Sequence, residues 1–104
     1  MTQIFFKVEC VRNCLMANGV VYTLRKPKKN LGRHSAVVNS LFETPFAIVN
    51  VELEKKNITN AQELEPYVAL SGFDDAKTWL WEAIKLNGMN LNLYKVTKLY
   101  PKKA

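Results

Sequence analysis

Arg25, Lys26, Lys28, Lys29 and Arg33 crowd into the nine-residue stretch RKPKKNLGR, the densest set of side chains in this sequence that could act on a ligand. Its proline and glycine favour an ordered loop over a helix. Cations held on such a loop neutralise phosphate charge without reading a base sequence; a solvated loop with no ligand is the bland alternative. Trp81 supplies an aromatic of the matching kind. On a helix it falls beside Lys77 and Lys85, four residues to either side, and opposite the apolar stripe. A tryptophan exposed between lysines stacks on a base or anchors a protein partner, unless an unseen loop covers it.

Other reactive residue types are sparse. His34 follows Arg33 in a polar stretch with no neighbouring nucleophile and reads as a surface histidine. Cys10 and Cys14 stand four apart on one face of a short helix, too few for a structural zinc site and poorly placed for a disulfide. They read as reduced, buried thiols, with redox chemistry as the alternative. Asp74 and Asp75 open a helix, where acids are stabilised by the helix dipole, and so read as caps. Asn57-Ile58-Thr59 matches a glycosylation acceptor that carries no weight without a secretory signal. There is no Gly-rich phosphate loop, and neither a metal nor a cofactor is expected.

The elements that must position these residues come from a chain of 104 residues, 48% hydrophobic and 23% charged, the size and balance of one folded domain. Its net charge is +6, distributed as +6 over residues 1–42, −4 over 43–94 and +4 over 95–104. No apolar run approaches the roughly 18 residues of a membrane span. The opening MTQIFFKVEC lacks the basic start and long apolar stretch of a signal peptide. A cytoplasmic protein that stays off membranes is expected.

Ile4 to Val8 suits a strand, and Cys10, Val11, Cys14 and Leu15 recur at helical spacing until Gly19 stops the helix. Val20 to Leu24 is β-branched and aromatic, a strand that delivers Arg25 to the basic loop. Ser35 to Phe42 reads as another strand. From Phe46 to Glu54 apolar and polar positions alternate, as in a half-buried strand. Asn60 to Leu70 holds at most a short helix before Pro66. Ser71-Gly72-Phe73-Asp74 is a turn feeding a helix to about Leu86, with Ser71 or Asp74 able to cap it. On that helix Ala76, Trp79, Leu80, Ala83 and Ile84 form one apolar stripe, and Leu91 to Tyr100 is the final strand. The order β-α-β-β-β-α-β predicts a compact α+β domain around a small barrel-like sheet.

Read in order, Phe5-Phe6, the helix ending Leu15-Met16-Ala17-Asn18-Gly19 and the run Val20-Val21-Tyr22-Thr23-Leu24-Arg25 resemble the opening of ASCH domains, relatives of the PUA fold. Phe46-Ala47-Ile48-Val49-Asn50-Val51, the Ser71-Gly72-Phe73 turn, the helix of Trp79 and Trp81 and the strand Leu93-Tyr94-Lys95-Val96 fit the same layout. Such domains place a glycine, then a lysine two positions on, then an arginine five after that. Arg25 matches the arginine, and Thr23 matches a threonine often found two residues before it. Val20 stands at the lysine position and Asn18 at the glycine position, with Gly19 one place late.

Some bacterial members of similar size hydrolyse the amide of N4-acetylcytidine, with that lysine, the threonine and a downstream glutamate as catalytic groups. A threonine hydroxyl needs a base to take its proton, and Val20 is none. Ser71 holds the place where the glutamate often stands, and Glu63 or Glu65 replaces it only if the preceding helix turns them inward. What the resemblance implies is a cleft beside the motif strand that takes RNA or a nucleotide.

The expectation is therefore a single α+β domain over residues 1–104, a small PUA-like ASCH β-barrel with two main helices, which binds nucleic acid, RNA foremost, without catalysis. Arg25 acts at the cleft, Lys26, Lys28, Lys29 and Arg33 on phosphates, and Tyr22 or Trp81 by stacking, with Lys77 and Lys85 beside Trp81. The first and last strands bring the two basic ends together beside Arg25. One alternative is an amidohydrolase that uses Thr23. Another is a small phage or mobile-element protein that occupies a host protein, a source matched by ten asparagines and twelve lysines against three arginines.

Overall fold

In the computed structural model, which describes residues 2–39 and 43–101, the apolar runs become strands and the amphipathic segments become helices. Their order is β1 (Thr2–Phe5), α1 (Glu9–Asn18), β2 (Val20–Arg25), β3 (Gly32–Val37), β4 (Ala47–Ile58), a 3₁₀ helix (Ala61–Leu70), α2 (Ala76–Asn87) and β5 (Leu91–Pro101). The end of the expected strand Ser35 to Phe42, residues 40–42, lies outside the described residues.

The helix stops and starts follow from single residues. Gly19, left-handed at φ +78°, ends α1 by donating its N–H to the Leu15 carbonyl at 2.8 Å. Asp75, one of the two acids that read as caps, is the cap of α2; its Oδ1 accepts from the Thr78 N–H at 2.7 Å. Ser71 is not a cap. Its hydroxyl fastens the turn before α2, donating to the Val68 carbonyl at 2.8 Å and accepting from the Phe73 N–H at 3.0 Å.

The stretch around Pro66 departs from expectation, because the 3₁₀ helix runs through the proline to Leu70. Proline's fixed φ lies within the 3₁₀ range, so the helix loses one N–H donor but keeps its path. A capping box opens it. The Asn60 side chain accepts from the Glu63 N–H, and the Glu63 carboxylate accepts from the N–H groups of Thr59 at 2.8 Å and Asn60 at 3.1 Å. These amides, with help from Lys55 at 3.3 Å, pull the Glu63 carboxyl from its ordinary 4.5 down to about 2.

A carboxyl whose folded pKa is depressed stabilises the fold above its unfolded value and loses that contribution as pH falls through the folded one. Glu63→Gln is expected to lower Tm at pH 7, and the gap from the natural protein should close between about pH 4.5 and about pH 2. Thermal melts across that window check it; a gap indifferent to pH counts against the capping role.

The five strands form one mixed sheet in the order β1-β3-β4-β5-β2, with only the β1–β3 pair parallel. Both faces are covered. Along β5, Tyr94 and Val96 enter a core with Ile4, Phe6, Val49 and the α1 residues Val11, Cys14 and Leu15. Leu91 and Leu93 point the other way, into a second core with Leu24, Leu64, Trp79 and Ala83. Alternation of side chains along the strand produces this division. The sheet is open, with β1 and β2 as its two edges, so it is an α+β layered sheet and not the closed barrel expected.

His34 corrects the surface reading. It lies within β3, is completely buried, and its Nδ1 is 2.9 Å from the Gly32 carbonyl oxygen. Alternation along β3 explains the burial: His34 shares a strand face with Ala36 and is paired with Val49, both in the first core. Cys10 and Cys14 are free thiols, half-buried and buried, as expected.

Candidate functional site

Thr23 and Arg25 are two apart in β2, so their side chains leave the same face of the strand. They reach a cavity of about 260 Å³ that none of the elements makes alone. Phe5, Phe6, Lys7 and Val8 from the β1–α1 junction form one wall, and Phe73 with the α2 residues Trp79, Glu82 and Ala83 forms the other. Two ties hold those walls. The Arg12 guanidinium donates to the carbonyls of Phe6 at 2.8 Å and Lys7 at 3.1 Å, and the Asn87 amide donates to the Leu24 carbonyl at 3.3 Å.

Within the cavity Arg25 Nε donates to Thr23 Oγ1 at 3.0 Å, and the guanidinium lies over the Phe6 ring, 4.8 Å from its centroid. The ring's negative face attracts the cation. Arg25 keeps some surface as a residue, but its head is withdrawn from water, and burial pushes its pKa from 12.5 down to about 10. It stays charged at neutral pH. Among the described residues no carboxylate lies within ion-pair distance of Arg25; Lys55–Glu63 and Lys85–Glu82 are the pairs formed.

The other expected site residues are spread over four places. Lys28 comes close enough for Arg25's charge to act on it; burial first, and that charge second, lower its pKa. Lys26 and Lys29 are exposed on the loop. Arg33 is exposed within β3, on the strand face opposite His34. Tyr22 turns away from Arg25 and packs on Tyr67, ring centroids 4.8 Å apart. Trp81 is 63% exposed, with exposed Lys77 and Lys85 on the same outward stripe of α2. Two helical residues turn the chain by about 200°, so Trp81 faces away from the cavity that Trp79 lines.

The end of β5 is not beside Arg25. β5 runs antiparallel to β2, pairing Asn92 with Arg25 and Thr97 with Val20, and the Lys98 N–H donates to the Gly19 carbonyl at 2.8 Å. The chain therefore leaves β5 at the opposite end of β2, on the order of 17 Å away. Lys102 and Lys103 lie outside the described residues. Val20 does not line the cavity, and Glu63 is occupied at its cap.

Lys7 and Glu82 do line the cavity, and neither stood out in the sequence. Lys7 is isolated in a mainly apolar stretch. Glu82 follows Trp79 by three residues but lies as far from the centre of the predicted stripe as Trp81 does, so helical spacing alone does not place it at the cavity. Among the described residues no three His, Cys, Asp or Glu side chains converge as metal ligands, and no helix is long and apolar enough to cross a membrane.

Fold and cavity together define an α+β protein whose open mixed sheet, covered by helices on both faces, holds an arginine with no ion-pair partner among the described residues in an aromatic-walled cavity. Comparison with protein-family models, curated proteins and solved structures returned no match.

Proposed function

We propose that this chain is a non-catalytic, ASCH- or PUA-like module that binds RNA by taking a base or nucleotide into the cavity at Thr23 and Arg25. The observation that carries the reading is Arg25 itself, a guanidinium held on Phe6 without a carboxylate partner. Withdrawing a cation from water without a counter-charge is costly, and an incoming phosphate or electron-rich base edge offsets the cost. The walls of Phe5, Phe6, Phe73 and Trp79 suit a flat ring. At about 260 Å³ the cavity suits one base better than an extended ligand. The PUA-like shell belongs to the proposal, supported by the α+β layout and strand-helix order and not by barrel closure.

The test is fluorescence anisotropy with short single-stranded and hairpin RNAs at low and moderate salt. Binding that weakens as salt rises is expected, and Arg25→Ala should weaken it between tenfold and a hundredfold, about 1.5–3 kcal/mol for a hydrogen bond to a charged group. No affinity at low salt, or an unchanged Arg25→Ala variant, sinks the reading.

One observation favours a second reading, since Lys7 and Glu82 share the cavity with Thr23. Release of cytidine from N4-acetylcytidine, abolished by Thr23→Val, would move the cavity from binding to hydrolysis.

A further inference from the structure

Because β2 is an edge strand and β3 lies three places away in the sheet, the loop 26–31 has to cross the ends of β5 and β4. It is pinned partway. The Lys28 N–H donates to the Tyr94 hydroxyl at 2.7 Å, and that hydroxyl also accepts from the Asn92 side-chain amide at 3.4 Å. Asn92 Oδ1 in turn accepts from the N–H of Asn57, a residue held left-handed at φ +54°. Tyr94 and Asn92 are 1% and 7% exposed. The result is a hollow under the basic loop whose polar lining is Lys28, Lys56, Asn57, Asn90, Asn92 and Tyr94.

Three properties of this hollow agree. It carries two cations and no carboxylate, and neither lysine is in an ion pair among the described residues. Burial and the nearby Arg25 both disfavour the charge on Lys28, so an anion beside it would favour the charged form. The Tyr94 oxygen already accepts two hydrogen bonds, so its own buried hydrogen is an unspent donor at the hollow. Lysine, amide and phenol donors around an opening lined by no carboxylate match a tetrahedral oxyanion.

We propose that the hollow under the 26–31 loop is a phosphate subsite, held by Lys28 and Lys56 with the Tyr94 hydroxyl at its floor. It stands apart from the Arg25 cavity and does not rest on the function proposed there. Its occupant is a phosphate group, from either a nucleic-acid backbone or a free phosphate or phosphomonoester.

The experiment is an NMR titration of the whole protein with inorganic phosphate, against chloride at equal ionic strength, following the backbone amides of Lys28, Asn57 and Tyr94. Saturable shifts specific to phosphate are expected. Lys56→Gln, an exposed change that leaves the Tyr94 network whole, should weaken the titration at least tenfold, and Lys28→Gln should do the same. A dinucleotide with one phosphodiester and a nucleoside 5′-monophosphate form the second arm. Shifts from the dinucleotide assign the subsite to a nucleic-acid backbone; shifts from phosphate and the monophosphate alone assign it to a free phosphate group. Equal responses to phosphate and chloride, or a Lys28→Gln, Lys56→Gln double variant that titrates like the natural protein, overturn the proposal. Arg25→Ala, read by RNA affinity, tests the cavity separately.

Discussion

Gly72→Ala is expected to cost about 3 kcal/mol or more, a large share of the roughly 5–15 kcal/mol that holds a domain of this size together. Two costs add. Gly72 sits at φ +87°, where a side chain costs about 1–2 kcal/mol. Its new Cβ would also lie 2.5 Å from the Cys10 carbonyl oxygen, 2.8 Å from the Cys10 carbonyl carbon and 3.0 Å from Val11 Cα. All three atoms are α1 backbone, so no flexible side chain can move aside. Relief requires shifting α1, which buries Val11, Cys14 and Leu15 in the first core.

Gly19→Ala is the control. That glycine has φ +78° but nothing within 4 Å of the added carbon, so only the conformational cost of about 1–2 kcal/mol remains. Urea denaturation of both variants checks the difference, and a Gly72→Ala midpoint no lower than that of Gly19→Ala refutes it. The consequence reaches the site, because Val11 and Phe73 line the cavity on either side of this contact. Any Gly72→Ala protein that folds should have an altered cavity.

The parts of the fold that were legible in the sequence are those fixed by local chemistry. Cys10, Val11, Cys14, Leu15 and Gly19 specify α1 because helical spacing and a left-handed stop are properties of adjacent residues. The same reasoning finds Trp79 inside and Trp81 outside. What was not legible depends on strand pairing. His34 is buried because it falls on the face of β3 turned to the first core, and the end of β5 lies away from Arg25 because β5 is antiparallel to β2, and neither fact has a local signature. The candidate cavity divides in the same way. Thr23 and Arg25 follow from alternation along one strand, whereas Lys7 and Glu82 join them only when the β1–α1 junction and α2 close over the end of β2. Pro66 shows a different limit: its rule as a breaker is written for the α-helix, and the segment is 3₁₀.

Trp79→Ala should be the most damaging truncation in the second core, at about 3–5 kcal/mol, and Trp81→Ala should be nearly silent, within about 0.5 kcal/mol. The two residues are alike in size and stand one apart from the same neighbour, Leu80, so propensity and composition cancel in the comparison. Their surroundings differ. Trp79 is 2% exposed and packs in the core that includes Leu24, Leu64, Ala83 and Leu93, whereas Trp81 is 63% exposed. Removing the Trp79 indole forfeits its burial and leaves a void that the rigid neighbours fill only in part. Because Trp79 is also a wall of the Arg25 cavity, that void opens into the space proposed to hold a base. Ligand affinity should therefore fall in Trp79→Phe, which keeps a ring in the core, by a larger factor than its modest loss of stability explains. Denaturation midpoints followed by circular dichroism, paired with the RNA titration, separate the two effects. Equal destabilisation by the two alanine variants would show that the helix faces are assigned wrongly. Weaker RNA binding in Trp81→Ala with full affinity in Trp79→Phe would place the base on the outward stripe of α2 and leave the cavity without its ligand.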